Sequence, residues 1–255
     1  MTRVIMHGCS GRMGAMITAL AAEDPAVEIV AGVDVFDRGD KSYPVFASMA
    51  ECNVEADVVI DFSNAGAVDA LLGVCAEKKL PVVLCTTGLS QDQLSHVEEV
   101  AKTIPVLRSA NMSLGINVLQ KVLRDAAKIL APAGFDMEIV EKHHNRKVDA
   151  PSGTALALAD SLNDAMDGAY HYVYDRSQVR QARDGKEIGI SAVRGGTIVG
   201  EHDVIFAGSD EVITFSHQAF SRGVFGKGAL EAARFLAGKP AGMYDMSDVI
   251  DARLG

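Results

Sequence analysis

Residues 3–22 join an apolar segment to a glycine-rich loop and then to a segment of helical periodicity, and this order constrains the fold more than any other part of the sequence. The apolar segment is Arg3 to His7, the loop from Gly8 to Gly14 reads G-C-S-G-R-M-G, and the helical segment is Ala15 to Ala22. Glycines in such a loop let the backbone approach a pyrophosphate, whose charge the helix N-terminus stabilises. Ser10 replaces the second glycine of the commoner spacing, so the loop alone is also compatible with an ordinary strand-to-helix turn.

The second apolar strand supports the dinucleotide interpretation. It runs from Val27 to Val33 and ends in Asp34, about 20 residues after the loop, where an acidic side chain binds the adenosine ribose. The next residue is Val35 rather than a cation, which favours NADH over NADPH. Arg12 and Arg38 remain close enough in sequence to bind a 2′-phosphate. The predicted cofactor is therefore NADH or NADPH, with a lean to NADH.

Strands and helices continue to alternate up to residue 107. The predicted segments are Asp57 to Asp61, Ala65 to Lys78, Pro81 to Cys85, Ser90 to Lys102 and Pro105 to Leu107. Nearly continuous apolar strands separated by amphipathic helices predict an α/β fold with a doubly wound parallel sheet of the Rossmann type. Ligands bind at the carboxyl ends of such strands. The loops after Asp61, Cys85 and Leu107 are therefore expected to line the nicotinamide side, although plain turn chemistry also explains each loop singly.

A second domain of different construction follows the helix from Leu114 to Leu130. Its predicted segments are a strand from Phe135 to Glu141, a helix from Ala155 to Met166, and strands at Ile188 to Val193, Gly196 to Phe206 and Glu211 to Ser216. Adjacent strands of this kind predict an α+β domain with a mixed or antiparallel sheet. A last helix, Gly228 to Leu236, is expected to return to the first domain. The predicted division is residues 1–114 with 223–255 for the dinucleotide, and residues 115–222 for substrate binding and oligomerisation, with hinges near Leu114 and Arg222.

The stretch from Glu141 to Thr154 reads E-K-H-H-N-R-K-V-D-A-P-S-G-T and concentrates cations and proton donors. Three candidates for proton transfer and anion binding lie within five residues: His143, His144 and Lys147. Their mutual repulsion favours an anionic ligand, and the helix start at Ser152, Gly153 and Thr154 predicts a carboxylate site. A solvated charged loop, packed histidines, and an N-cap role for Ser152 or Thr154 are the structural alternatives.

Composition excludes several classes of partner. The net charge of −10 argues against nucleic acid and anionic membranes, and no apolar run is long enough to span a bilayer. Four scattered cysteines without paired spacing indicate reduced thiols in a cytoplasmic protein. A metal site at His143, His144 and His202 fits no zinc spacing, so no metal is predicted.

Three motifs together resemble the 4-hydroxy-tetrahydrodipicolinate reductase family, formerly dihydrodipicolinate reductase, along the whole chain. They are G-C-S-G-R-M-G from Gly8, H-H-N-R-K-V-D-A-P-S-G-T-A from His143, and V-R-G-G-T-I-V-G-E-H from Val193 to His202. The resemblance implies reduction of a cyclic dicarboxylate by NADH or NADPH on the diaminopimelate route to lysine. It also implies a homotetramer assembled through the second domains.

The resemblance also implies residue roles. His143 is a proton donor or acceptor, Lys147 a proton donor, and His144 a contact to a substrate carboxylate, with Gly153 and Thr154 as the substrate-binding pair. The implied cofactor residues are Gly8, Cys9, Ser10, Gly11, Arg12, Met13, Asp34, Cys85, Thr86, Thr87, Ala110, Asn111, Met112 and Ser113. Two positions depart from the family pattern. Many members have glycine in place of Cys85, and members that use NADPH well often have a cation in place of Val35.

Two other functions fit parts of the sequence. An aspartate or homoserine dehydrogenase would share the two-domain build but would not need H-H-x-x-K followed by P-S-G-T. A regulator that binds NADH without turnover would need a docking module, and no basic helix-turn-helix segment is visible.

Overall fold

The chain divides into two units in a computed structural model that describes residues 1–254. The first unit comprises residues 1–114 with 223–255, and the second comprises residues 115–222. In chain order the elements are β1 (Thr2–His7), α1 (Arg12–Ala22), β2 (Val27–Val33), β3 (Val45–Phe46), β4 (Val58–Asp61), α2 (Ala65–Lys78), β5 (Val82–Leu84), α3 (Gln91–Ala101), β6 (Pro105–Leu107), α4 (Leu114–Leu130), β7 (Asp136–His143), α5 (Gly153–Asp164), β8 (His171–Val173), β9 (Glu187–Arg194), β10 (Gly200–Ala207), β11 (Val212–Ala219), α6 (Gly223–Leu236), β12 (Gly242–Tyr244) and α7 (Met246–Leu254).

The first unit is built on a seven-stranded parallel sheet in the order β12-β6-β5-β4-β1-β2-β3. Strands β4, β5 and β6 are buried along their whole length, because apolar clusters cover both faces of the sheet. Each large apolar side chain removed from water there contributes about 2 kcal/mol. The predicted Rossmann-type sheet is confirmed.

The strand order of this sheet reverses beside β1, whose neighbours are β2 and β4. A reversal of this kind opens a crevice at the carboxyl ends of the strands, which is where ligands bind in open α/β sheets. The three strands end at His7, Val33 and Asp61, so the residues that follow them surround the crevice.

The second unit contains a five-stranded sheet in the order β11-β10-β7-β9-β8. Strand β7 pairs parallel with β9 and antiparallel with β10, so the sheet is mixed, which was one of the two predicted arrangements. Burial alternates along β7 and β10, and the inward side chains pack on apolar residues of α4 and α5. The same alternation places Glu141, His143 and His202 on the inward face.

Several predicted boundaries were wrong at the ends of elements. Strand β7 continues two residues past Glu141, helix α1 begins at Arg12, and helix α6 begins at Gly223 rather than Gly228. Strands β3, β8 and β12, with two or three residues each, were not predicted, because so few residues show no periodicity. Within the described part of the chain, every helix is too short or too polar to span a bilayer. The cytoplasmic location stays a prediction.

Candidate active site

The glycine loop of the first unit adopts a conformation that side chains would block. Gly8 has a φ of +82°, which favours glycine. A Cβ at Gly14 would lie 2.3 Å from the Gly8 carbonyl oxygen and 2.6 Å from the Cys9 Cα. The first turn of α1 therefore packs directly on the loop, and this is the geometry that exposes helix N–H groups to a phosphate.

Asp34 is held by the backbone on both of its carboxylate oxygens. The Ser10 N–H donates to Oδ2 at 3.0 Å and the Phe36 N–H donates to Oδ1 at 3.1 Å. The Ser10 hydroxyl also donates to the Phe36 carbonyl at 2.5 Å. The side chain of Ser10, which departs from the commoner glycine spacing, thus ties the loop to the segment after Asp34. The side chain of Val35 beside it is 93% exposed and presents no cation.

A cavity of about 390 Å³ lies at the reversal of the strand order. Its lining includes Gly8, Gly11, Asp34, Ser63 and Asn64, together with apolar side chains of α2. A cavity with an apolar wall, a carboxylate and a glycine loop fits an adenosine group.

The buried pair of His7, which lines this cavity, and Asp61 was not predicted from the sequence. The His7 Nδ1–H donates to Asp61 Oδ1 at 2.6 Å, and the Ser63 hydroxyl donates to the same oxygen at 2.6 Å. Asp61 Oδ2 is buried without a hydrogen-bond partner among the described residues. Both residues end adjacent parallel strands, and polar residues at that position were the signal that could have revealed them.

The remaining predicted cofactor residues follow β5 and β6. Cys85 donates its backbone N–H to the Asp61 carbonyl at 3.0 Å, and Thr86 is buried beside Ser63, with the two hydroxyl oxygens 3.5 Å apart. In the segment from Ala110 to Ser113, the Ser113 N–H donates to Asn111 Oδ1 at 2.8 Å. These loops lie at the carboxyl edge of the sheet, as does Thr87. All four cysteines are free, and burial raises the pKa of Cys75 to about 12.

In the second unit, Glu141 organises the basic stretch. The His143 Nδ1–H donates to Glu141 Oε2 at 2.6 Å, and Arg194 donates to both carboxylate oxygens at 2.7 Å. The Ser152 N–H donates to Glu141 Oε1 at 2.9 Å. The repulsion that favours an anionic ligand is therefore reduced at His143, because a buried carboxylate lies beside that ring.

The pKa values follow from burial and these charges. Burial alone would raise the pKa of Glu141, but hydrogen bonds from Arg194, His143 and Ser152 outweigh it and hold that pKa below its usual value. Burial lowers the pKa of His143, Lys147 and Arg194 lower it further, and Glu141 opposes them. His143 is thus an imidazole whose proton affinity depends on opposing neighbours.

Ser152 is the N-cap of α5 and also contacts a second histidine. Its hydroxyl accepts the Ala155 N–H at 3.1 Å and lies 3.1 Å from His202 Nε2. Burial lowers the pKa of His202 to about 4, so this ring is neutral at pH 7. Gly153 is exposed at the first turn of the helix, where N–H groups point along the axis toward an anion.

Lys147 and His144 complete the predicted substrate site. The Lys147 ammonium lies 2.8 Å from Asp149 Oδ2, and the Lys147 side chain is 21% exposed. The His144 ring is half-buried, and its Nδ1 has no hydrogen-bond partner within residues 1–254. Thr154 follows in the first turn of α5. Among the described residues no group of three or more His, Cys, Asp or Glu side chains is arranged to hold a metal ion.

The first sheet carries a glycine loop and an acid after its second strand, and the second sheet carries histidines and a lysine. This combination is typical of a nicotinamide-dependent oxidoreductase. Residues 2–112 match the family described as dihydrodipicolinate reductase, N-terminus, and residues 115–250 match dihydrodipicolinate reductase, C-terminus. The chain belongs to the dihydrodipicolinate reductase family.

Curated relatives agree over nearly the full length. The chain is 56% identical to the 4-hydroxy-tetrahydrodipicolinate reductase of Caldanaerobacter subterraneus subsp. tengcongensis, covering 98% of each chain. It is 50% identical to the enzyme of that name from Clostridium tetani, covering 99% of this chain and 98% of the relative. A dipicolinate-bound dihydrodipicolinate reductase from Paenisporosarcina sp. shares the fold with a TM-score of 0.79 at 24% identity, covering 96% of this chain and 97% of that one.

Proposed function

We propose that the chain reduces 4-hydroxy-tetrahydrodipicolinate to tetrahydrodipicolinate with NADH or NADPH, on the diaminopimelate route to lysine. The overall change consumes one hydride and one proton and releases water and the oxidised cofactor. Full-length identity of 56% to a relative of this name supports the activity. The observation in the structure that supports it is a buried His143 with a lysine, a second histidine and a helix N-terminus nearby in the chain.

We assign the two functions to the two units. Residues 1–114 with 223–255 bind the cofactor, whose nicotinamide supplies the hydride when bound. Residues 115–222 bind the dicarboxylate: His144 and the first turn of α5 hold carboxylates, and His143 and Lys147 hold or move the proton. The Ser152 cap supports this role, because it aligns the α5 N–H groups that attract an anion.

Titration calorimetry with NADH, NADPH and pyridine-2,6-dicarboxylate tests substrate class and cofactor together. The planar dicarboxylate should bind the cofactor complex at least about 10-fold more tightly than pyridine-2-carboxylate, because a second charge-assisted contact is formed. NADH should bind more tightly than NADPH, because Asp34 accepts ribose hydroxyls and Val35 offers no cation to a 2′-phosphate. Equal affinity for the two acids would contradict the dicarboxylate site, and tighter NADPH binding would contradict the cofactor preference.

We further propose a homotetramer assembled through the second unit. Its sheet is covered by helices on one face, while Val193 and Val212 lie on the other face and are 45% and 62% exposed. Light scattering should give the mass of four 27.0 kDa chains. Replacing both valines by Asp should lower that mass, because charge is disfavoured in the centre of an interface. A monomeric wild-type protein would refute the proposal.

A further inference from the structure

Glu141 is a fully buried carboxylate whose hydrogen bonds come from three separate elements. It accepts from His143 on the same strand, from Arg194 on β9, and from the Ser152 N–H at the start of α5. Four donors at 2.6 to 2.9 Å match the roughly four lone-pair sites that a carboxylate offers. The position of this carboxylate is therefore determined by the sheet and the helix rather than by solvent.

The contact with Glu141 selects one tautomer of His143. A carboxylate can only accept, so Nδ1 carries a proton and Nε2 is the nitrogen left for a substrate or water. Gly200 leaves space at this nitrogen, because a Cβ there would lie 3.1 Å from Nε2. The ring is thus held at its Nδ1 edge, and no side chain at position 200 covers Nε2.

We propose that Glu141 and Arg194 act as a positioning pair that sets the tautomer and the proton affinity of His143. This inference rests on the proposed function, because it gives His143 a role in the proton step. Glu141 stabilises the imidazolium by its charge, and Arg194 limits that effect by neutralising the same carboxylate. The pair acts through His143 and needs no contact with substrate.

The charged and titratable groups around His143 come from every neighbouring element. Glu141 lies on β7, Arg194 on β9 and His202 on β10, and Lys147 follows β7. The His202 ring packs edge-on to His143, with centroids 5.2 Å apart, and is neutral at pH 7. The fixed charges near the ring are thus one carboxylate and two cations. Removing Glu141 or Arg194 therefore changes the net charge near His143 in a known direction.

Arg194 also connects the Glu141 carboxylate to the loop that carries Lys147. Its Nη2 donates to the Asp149 carbonyl at 2.7 Å, and the Asp149 side chain in turn pairs with Lys147. One guanidinium therefore holds the buried carboxylate and the backbone beside the second proposed proton donor.

The test compares Glu141→Gln with Arg194→Met by NMR titration of the His143 ring nitrogens and by the pH dependence of kcat/KM. Glu141→Gln removes a negative charge, so the His143 pKa should fall by roughly one unit or more. Arg194→Met removes a positive charge, so the His143 pKa should rise. The limb of the pH profile assigned to His143 should move with it, and Glu141→Gln should lower kcat by about 100-fold.

Two further variants separate positioning from folding. Glu141→Asp keeps the charge and should recover part of the lost kcat. Glu138→Gln removes a carboxylate of the same strand that pairs with Arg176 and Arg183, and it should leave the His143 titration unchanged. Shifts of the same sign in Glu141→Gln and Arg194→Met, or lost activity with no shift, would overturn the proposal.

Failure of the positioning pair can be distinguished from failure of the proposed function. The NMR titration uses the free protein and needs no substrate. A wild-type protein that fails to turn over 4-hydroxy-tetrahydrodipicolinate would sink the function, whereas opposite pKa shifts would still support the positioning pair as a property of His143. Normal wild-type turnover with an unmoved His143 pKa would sink the pair alone.

Discussion

Lys147→Ala is expected to lower kcat by at least about 100-fold, the usual scale for loss of an acid catalyst. The ammonium group is partly buried and held 2.8 Å from Asp149 Oδ2. It also contributes positive charge near His143, which lowers the pKa of that ring. Truncation therefore removes both a proposed proton donor and part of the field that favours a dicarboxylate, so KM should rise as kcat falls.

The matched control is Arg146→Ala, which removes the neighbouring, exposed cation. Its kcat should stay within about 3-fold of wild type, because solvent screens the charge of an exposed side chain. NADH oxidation measures both rates, and circular dichroism checks the fold. Near-normal turnover in Lys147→Ala, or an equal loss in Arg146→Ala, would exclude a specific acid role for Lys147.

The architecture could be predicted from the sequence because the pattern that indicates each helix or strand lies within that element. Helices α2 and α4 and strand β2 have the predicted bounds, since each is long enough for its apolar pattern to be recognised. Strand β6, with three residues, was predicted from its place in the alternation of strands and helices. The glycine loop and the position of Asp34 beside it could be predicted from spacing, because both depend on residues within one strand–helix–strand unit.

The internal organisation of the site depends on strand pairing, which sequence order does not reveal. Arg194 reaches Glu141 across 53 residues because β7 and β9 pair in parallel register, with His143 opposite Arg194. The pair of His7 and Asp61 likewise spans 54 residues through β1 and β4. Without this register, the sequence does not show that the Glu141 carboxylate is buried beside the cations.

Gly228→Ala should lower the free energy of unfolding by about 3 kcal/mol or more, the upper part of the range for overpacking. A Cβ at this position of α6 would lie 1.6 Å from the Met112 carbonyl oxygen and 2.7 Å from its carbonyl carbon. No rotamer change can relieve a clash between Cβ and backbone, so α6 or the segment after β6 must move. Glycine has a low helix propensity, so the start of α6 was predicted too late. At Gly228, the close approach of Met112 nevertheless requires glycine.

Movement of α6 or of the segment after β6 should also weaken cofactor binding. Met112 lies in the segment from Ala110 to Ser113, which we propose contacts the nicotinamide side, so NADH affinity should fall at least about 10-fold, equal to about 1.4 kcal/mol. Gly73→Ala in α2 is the matched control, because an added Cβ would meet no described atom within 4 Å beyond its chain neighbours and the backbone of α2. Helix propensity should make that variant as stable as wild type or up to about 1 kcal/mol more stable. Urea denaturation and calorimetry with NADH measure the two effects, and equal stability of the two variants would show that α6 does not depend on a bare backbone at Gly228.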